Sequence, residues 1–237
     1  MPGYREDRPV GPLVDGWSER ARPVRASIAG TWGRLEPLDT ARHGDDLFAA
    51  VDGHDSVWTY LGYGPFETKA AFLAWLTGRE QLTDPLYSAV VDSATGKALG
   101  VLTLMEIRPA AGVVEIGHIF FSPVLQRTRA ATEAIYLAMR HAFADLGYRR
   151  FEWKCDALNA PSRAAAIRFG FTYEGIFRQH MVIKGRNRDT AWYAITDKDW
   201  PVVRAGFEAW LAPKNFDAEG RQKAALADLR PKAAHAH

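Results

Sequence analysis

The sequence predicts a mixed α/β (α+β) fold: a mostly antiparallel central sheet with one parallel strand pair and helices on both faces. Short turns separate three apolar segments at 86–91, 98–107 and 113–121, which is typical of consecutive antiparallel strands. A helical apolar pattern then connects segment 113–121 to an alternating segment at 149–158. Because parallel neighbours need a crossover of this kind, these last two segments are the predicted parallel pair.

The N-terminal half begins with a predicted strand at 30–38. A helix is predicted over about 40–51, with Asp39 or Thr40 as its cap, and a second helix over about 67–79. The intervening segment 56–66 is rich in aromatic residues and glycine, which favours a loop.

The C-terminal half contains the long amphipathic helix, which Gly147 is predicted to end in a left-handed conformation. A short helix follows at 159–170, then a hairpin around 185–189 and a last helix after residue 200. We therefore expect an N-terminal arm at 1–25, one domain at 26–212 and a C-terminal tail at 213–237. The arm either lies on the domain or is loose.

The composition narrows the class of protein. A net charge of +2 gives no reason to expect a nucleic-acid partner. The first residues lack the apolar segment of a signal peptide, and no apolar run is long enough to span a membrane. Cys155 is the only cysteine and no metal-ligand spacing occurs. We expect a cytoplasmic protein without a metal.

Four short motifs occur in a fixed order along the chain. They are Glu115-Ile116-Gly117-His118, the loop from Gln126 to Ala134, Asn159-x-x-Ser162, and Phe169-Gly170-Phe171-x-Tyr173-x-Gly175. With the element order over about 30–200, they resemble the Gcn5-related N-acetyltransferase (GNAT) superfamily and, within it, the RimJ/RimL type of ribosomal-protein acetyltransferases. The resemblance implies the GNAT fold, with its splayed parallel strands, and direct transfer of an acetyl group from acetyl-CoA to a primary amine in a ternary complex.

The loop after Gln126 departs from the family pattern, since Arg129 stands where the family has a glycine. If the helix begins near Thr128, the amides of Arg129, Ala130 and Ala131 have no intrahelical partner and can bind a diphosphate. The arginine side chains either add to that site or are ordinary solvated residues. By resemblance, the donor contacts Ile119, Phe120, Phe121, Gln126, Arg127, Thr128, Arg129, Ala130, Ala131, Thr132, Asn159 and Ser162.

Amine acetylation needs a base, and the resemblance implies that Glu115 is the base, acting directly or through water. The alternative is that Glu115 pairs with an arginine across the sheet. His118 lies three residues further along the strand, so we expect it on the opposite face. Ser162 is the candidate proton donor to the leaving thiolate, although a serine there often only caps a helix. Tyr173 is the second candidate, and Cys155 is expected to be buried packing.

The acceptor remains open between a protein N-terminus, a polyamine, an antibiotic and an amino acid. By resemblance, Trp58, Tyr60 and Tyr63 lie where the family forms its acceptor pocket, but these rings can equally fill the core. Trp210 is a candidate for a homodimer contact. Two other functions stay open: a non-catalytic acyl-CoA-binding module, suggested by Arg129, and a nucleic-acid-associated factor, for which the basic turn at 184–189 is weak support.

Overall fold

The central feature is one sheet of eight strands. The computed structural model describes residues 8–231. The strands are β1 (Ile28–Ala29), β2 (Gly33–Pro37), β3 (Leu86–Asp92), β4 (Ala98–Arg108), β5 (Val113–Phe121), β6 (Arg150–Asp156), β7 (Thr172–Ile183) and β8 (Arg186–Thr196). Their spatial order is β1-β2-β3-β4-β5-β6-β8-β7. Only β5 and β6 pair in parallel, so the predicted mixed sheet is confirmed.

Five helices cover the two faces of this sheet. They are α1 (Thr40–Val51), α2 (Lys69–Thr77), α3 (Arg129–Arg140), α4 (Ala160–Phe169) and α5 (Trp200–Leu211). Helices α1 and α2 bury their apolar residues on one face, here called the front face. The other three helices pack on the opposite face, here called the back face. The prediction of helices on both faces is confirmed.

Local sequence explains where the helices begin and end. The side chains of Asp39, Thr128 and Asn159 each accept a hydrogen bond from an amide in the first turn of α1, α3 and α4 respectively. Gly170 follows α4 with φ 97°, and Gly147 has φ 68° beyond the π-helical turn that extends α3. Both glycines therefore take the left-handed conformation that stops a helix.

The parallel pair is hydrogen-bonded only along its first half. The pairing ends where Ile116 meets Trp153, and the remaining residues of β5 and β6 separate. A β-bulge lies at the same level. Val101 pairs with Phe120 and Thr103 with Gly117, so β5 has two residues where β4 has one. The sheet therefore opens into a cleft beside the bulge.

The described parts of the expected arm and tail contact the domain at several points, although most side chains of the arm are exposed. Trp17 donates its indole N–H to the carbonyl of Ala110 at 3.0 Å, and Arg25 donates to the carbonyl of Leu38 at 2.9 Å. At the other end, Leu226 is buried in the back core. Residue 212 is therefore not the end of the packed chain. The extreme ends of the arm and tail, residues 1–7 and 232–237, lie outside the described residues.

Trp210 lies beneath the C-terminal segment. Its ring meets that of Phe216 at 5.2 Å, and its indole N–H donates to Gln222 at 2.8 Å. Because Trp210 is buried by its own chain, its ring is not available for a homodimer contact, whereas a homodimer itself stays a prediction. Across residues 8–231, no helix has both the length and the apolar character to cross a membrane.

Candidate active site

The site is centred on the cleft between the separated ends of β5 and β6. Beyond Ile116 and Trp153, neither strand pairs with the other, so backbone donors and acceptors in this stretch face the cleft. The cleft leads toward the N-terminus of α3 through the loop that follows β5. An elongated ligand that ends in a diphosphate fits this combination of unpaired strand edges and helix N-terminus.

Glu115 lies on the front face just before the cleft, and only 6% of it is exposed. Its Oε2 accepts a hydrogen bond from Lys154 Nζ at 2.6 Å, so the partner across the sheet is a lysine rather than the expected arginine. Oε1 accepts no hydrogen bond from residues 8–231 and lies 3.6 Å from the position of a Cβ on Gly117. One oxygen is thus anchored while the other points along β5 toward the cleft.

Burial and Lys154 have opposite effects on the pKa of Glu115. Burial raises the pKa of Glu115, and the ammonium of Lys154 offsets only part of that rise. Lys154 is shared with Glu152 at 3.1 Å, and Glu152 also accepts from Arg108 and Arg150. Lys154 is therefore not wholly committed to Glu115. A carboxylate with a raised pKa and a free oxygen suits proton transfer.

His118 lies on the same face as Glu115, so the expectation of opposite faces is wrong. The reason is the bulge, where His118 has φ 46° and the alternation of side chains shifts by one residue. Its ring stacks between Tyr63 at 5.6 Å and Tyr87 at 5.7 Å. Burial lowers the pKa of His118, and the nearby cations Arg79 and Arg188 lower it further. The imidazole is therefore kept neutral.

Ser162 and Cys155 meet at the back of the cleft. The Ser162 hydroxyl accepts a hydrogen bond from Trp153 Nε1 at 3.0 Å, and its amide donates to the cap residue Asn159 at 3.1 Å. The hydroxyl also hydrogen-bonds the Cys155 thiol, which lowers the pKa of that thiol against the larger effect of burial. Burial raises the pKa of the Cys155 thiol, in keeping with the expected packing role.

Tyr173 lies at the edge of the sheet on β7. It pairs in register with Tyr193 of β8, and β8 separates it from β6. Its nearest cation is Arg163, whose guanidinium carbon lies 6.0 Å from the ring. The structure does not bring Tyr173 to the cleft.

The predicted phosphate corner is only partly available. Thr128 caps α3, and its hydroxyl accepts the amide of Ala131 at 3.1 Å, so that amide is not free as expected. Among the described residues, the amides of Arg127, Arg129 and Ala130 have no acceptor. Arg127 has φ 63°, a left-handed conformation that favours glycine, whereas Arg129, at the position of the family's glycine, is the first residue of α3. Three unpaired amides thus remain at this helix end.

Side chains around the corner have structural partners. The guanidinium carbon of Arg129 lies 3.9 Å from the ring centroid of Trp32 and 4.6 Å from that of Phe216, so this half-buried side chain is held between two aromatic rings. Gln126 donates to the carbonyl of Phe121 at 2.9 Å and closes the end of β5. Thr132 is buried and accepts from Arg168 on α4 at 3.3 Å. These three side chains hold the corner in shape.

The three residues predicted along the donor arm alternate between the sheet faces. Ile119 and Phe121 pack against the back core, whereas Phe120 is buried on the front face 5.0 Å from the ring of Trp58. Phe120 can therefore offer a donor only its backbone.

The three aromatic residues predicted for the acceptor pocket lie in different environments. Trp58 is 2% exposed and belongs to the front core, where it lines a small cavity with Phe66 and Phe72. Tyr60 donates its hydroxyl to the carbonyl of Leu158 at 3.1 Å, which links this loop to the segment after β6. Tyr63 has a buried hydroxyl without a hydrogen-bond partner among residues 8–231 and stacks on His118. Of the three, Tyr63 is the residue whose ring stacks on His118 beside the cleft.

Sequence reasoning did not single out four residues that frame the front of the cleft. They are Arg79 on the segment after α2, Lys154 on β6, and Arg188 and Trp192 on β8. No local motif marks them, because the antiparallel pairing of β6 with β8 and the packing of the segment after α2 on Trp75 and Tyr63 bring them together. No group of three or more potential metal ligands occurs within the described part of the chain.

Comparison with known proteins agrees with this geometry. The family model for the acetyltransferase (GNAT) domain matches residues 34–172. A GCN5-related N-acetyltransferase from Brucella melitensis is 50% identical with a TM-score of 0.90, covering 92% of this chain and 99% of that chain. A probable acetyltransferase of the GNAT family from Chromobacterium violaceum is 45% identical with a TM-score of 0.76, covering 84% of this chain and 100% of that chain.

A more distant structure shares the fold alone. It is an acetyltransferase from Salmonella typhimurium that modifies the N-terminal serine of the 50S ribosomal subunit protein L7/L12. It is 22% identical with a TM-score of 0.63, covering 72% of this chain and 99% of that chain. The comparison with curated proteins gives no significant match. On the domain match and the two close structures, this chain belongs to the GNAT family of acetyltransferases.

Proposed function

We propose that the protein is an acetyl-CoA-dependent N-acetyltransferase that acts on a primary amine by direct transfer in a ternary complex. The observation that carries the proposal is the half-anchored carboxylate of Glu115 beside the point where β5 and β6 separate. Membership of the GNAT family supports acetyl transfer in general, and the cleft geometry supports the roles below.

The donor site would combine the cleft and the corner before α3. When bound, acetyl-CoA supplies an activated acetyl thioester. The unpaired amides of Arg127, Arg129 and Ala130 would hold the diphosphate, helped by the dipole of α3. The separated backbone of β5 would hold the pantetheine arm, and Asn159 fixes the start of α4 at the other wall.

Glu115 would remove the proton from the incoming ammonium, directly or through one water. Lys154 holds Oε2 at 2.6 Å, which fixes the carboxylate and leaves Oε1 as the basic atom. Burial raises the pKa of Glu115 toward the range in which a base works best near neutral pH. His118 is the second candidate, because it is neutral and lies on the same face.

Ser162 would protonate the leaving thiolate. Its hydroxyl accepts from Trp153 Nε1, so the hydroxyl proton is directed away from that indole, and it would turn from the Cys155 thiol to the thiolate in the cleft. Cys155 needs no role, since direct transfer requires no acyl-enzyme.

The test combines binding with turnover. Calorimetry should detect acetyl-CoA binding to the purified protein, and thiol release should be measured with amino acids, peptides, polyamines and aminoglycosides as acceptors. Release that depends on one class of amine supports the proposal. Binding without turnover on any amine would favour the acyl-CoA-binding module, and absence of binding would contradict both functions.

A further inference from the structure

The front face beside the cleft contains unpaired buried hydrogen-bond donors. The Tyr63 hydroxyl, Arg188 Nε and Trp192 Nε1 are buried and have no protein partner among the described residues. Two of the three groups can only donate, and the hydroxyl can donate as well. Trp75 Nε1 is also unpaired, but its ring belongs to the apolar front core. Such groups are expected to bind water or the acceptor atoms of a ligand.

Two guanidinium groups add positive charge to the same region. The guanidinium carbon of Arg79 lies 4.2 Å from the ring of Trp75 and 5.7 Å from that of Tyr63. Neither Arg79 nor Arg188 forms an ion pair with a carboxylate within residues 8–231. Arg79 lies beside Tyr63, whose ring stacks on that of His118 at 5.6 Å. Arg188 precedes Trp192 by four residues on β8, so its side chain projects on the same face, where Lys154 Nζ lies 4.1 Å from the Trp192 ring centroid. Arg79 Nη1 donates to the carbonyl of Trp75 at 2.7 Å, but neither guanidinium has a carboxylate partner among the described residues. Two such cations attract an anion.

Two of the nearby carboxylates are already paired, and the third, Glu106, is exposed to solvent that screens its charge. Glu152 is bound by Arg108, Arg150 and Lys154, and Glu115 is bound by Lys154. The excess positive charge of Arg79 and Arg188 therefore lies at the end of the cleft near His118.

The tip of the β7–β8 hairpin brings Arg188 to this position. Lys184 Nζ donates to the carbonyl of Trp58 at 2.8 Å, and Ile183 lies 3.9 Å from the position of a Cβ on Gly62. The hairpin thus contacts the loop that carries Tyr63. This contact is made at Lys184, four residues before Arg188 in the chain. These elements together form one wall of the acceptor side.

Resting on the function proposed above, we propose that the acceptor is a small primary amine that carries a carboxylate, such as a free amino acid. Arg188 and the Tyr63 hydroxyl hold the carboxylate, with Arg79 as the second positive charge, and the amine faces Glu115. This assignment excludes polyamines and aminoglycosides as good acceptors, because their cationic groups would be repelled by the two arginines.

The experiment compares each of several L-amino acids with its α-carboxamide in the thiol-release assay, alongside a short peptide and spermidine. The amide lacks the charge but keeps the amine, and its amine loses a proton more easily. Intrinsic reactivity therefore favours the amide and works against the proposal. We expect at least one amino acid to exceed its amide by tenfold or more in kcat/KM.

Arg188→Gln should raise the KM of the amino acid about tenfold or more and reduce its advantage over the amide, with the KM of acetyl-CoA unchanged. Arg188→Lys should retain part of the advantage. Arg178→Gln, which makes the same charge change at an exposed position of β7, is the control and should leave the ratio unchanged.

Two results would overturn the inference while leaving the proposed function intact. One is efficient turnover of amides, peptides or spermidine without turnover of any amino acid. The other is an acid-to-amide ratio that Arg188→Gln does not alter. Absence of turnover with every amine would reject the acetyltransferase proposal, and this inference with it.

Discussion

Two buried glutamates show how one residue type serves two purposes in this molecule. Glu133 on α3 is 5% exposed and accepts the backbone amides of Thr31, Trp32 and Gly33. Glu115 on β5 is 6% exposed and has a single bonded oxygen. Both carboxylates are buried to the same degree, so burial does not distinguish them. The two carboxylates differ in the number of hydrogen-bond donors that each one accepts.

The difference separates a structural carboxylate from a reactive one. Donors on both oxygens of Glu133 fix the turn between β1 and β2 on α3, and Gly30 is needed there because a Cβ would lie 2.6 Å from the carboxylate. Glu115 keeps one oxygen without a protein donor. A carboxylate that already has all its donors has little capacity left for an incoming proton, whereas Glu115 does.

The largest expected effect is the loss of the base. Glu115→Gln should lower kcat by about 10²–10⁴ and leave the melting temperature nearly unchanged, because Lys154 keeps Glu152 as its partner. Steady-state thiol release and thermal unfolding measure the two quantities. A variant with full kcat and an unchanged pH–rate profile would move the base to another group, with His118 the first to examine.

The matching change at Glu133 should affect stability instead of rate. Glu133→Gln replaces a charged acceptor of three amides, and hydrogen bonds to charged groups contribute about 1.5–3 kcal/mol each. We expect the free energy of unfolding to fall by roughly 3 kcal/mol. Denaturant titration measures this loss, and kcat of the folded variant should stay near that of the wild type. A large loss of kcat with unchanged stability would contradict the distinction.

Removal of Lys154 should change the pH dependence of the rate. The ammonium of Lys154 lowers the pKa of Glu115, against the larger effect of burial, so Lys154→Met should raise that pKa further. Since the base acts when it is deprotonated, the acidic limb of the kcat/KM profile should move to higher pH. Lys97→Met, at an exposed turn, should leave the profile unchanged. A shift to lower pH would exclude Glu115 as the titrating group.

The smallest effect is expected at Arg129. Arg129→Leu removes the cation between Trp32 and Phe216, which should cost about 1 kcal/mol of stability. The KM for acetyl-CoA should rise only slightly, because the backbone amide of residue 129 is retained. A rise in this KM of more than tenfold, with stability unchanged, would assign the side chain to the donor instead.

Much of the fold follows from local signals in the sequence. Strand alternation, the caps at Asp39 and Asn159 and the glycine after α4 are properties of neighbouring residues. The bulge at His118 could not be predicted, since no glycine marks its positive φ and the register with β4 decides it.

The arrangement of side chains in the site depends more strongly on contacts between residues that are far apart in the sequence. The Glu115–Lys154 pair results from the parallel register, in which Glu115 lies beside Glu152. The position of the Arg129 guanidinium depends on Phe216, which follows it by 87 residues in the chain. Neither separation nor residue type indicates such pairs in a single sequence. The motifs located the cleft, whereas tertiary packing determined which side chains are free in it.

The C-terminal segment has a consequence for how the enzyme can vary. Because Phe216 rests on Arg129, which begins α3, substitutions in a region remote from the reacting groups can alter the corner that would receive the diphosphate. Homologues that differ in this segment are therefore expected to differ mainly in stability at the start of α3, while their cofactor affinity and acceptor preference are largely preserved. Shortening the chain before residue 216 would remove the ring and test that separation directly.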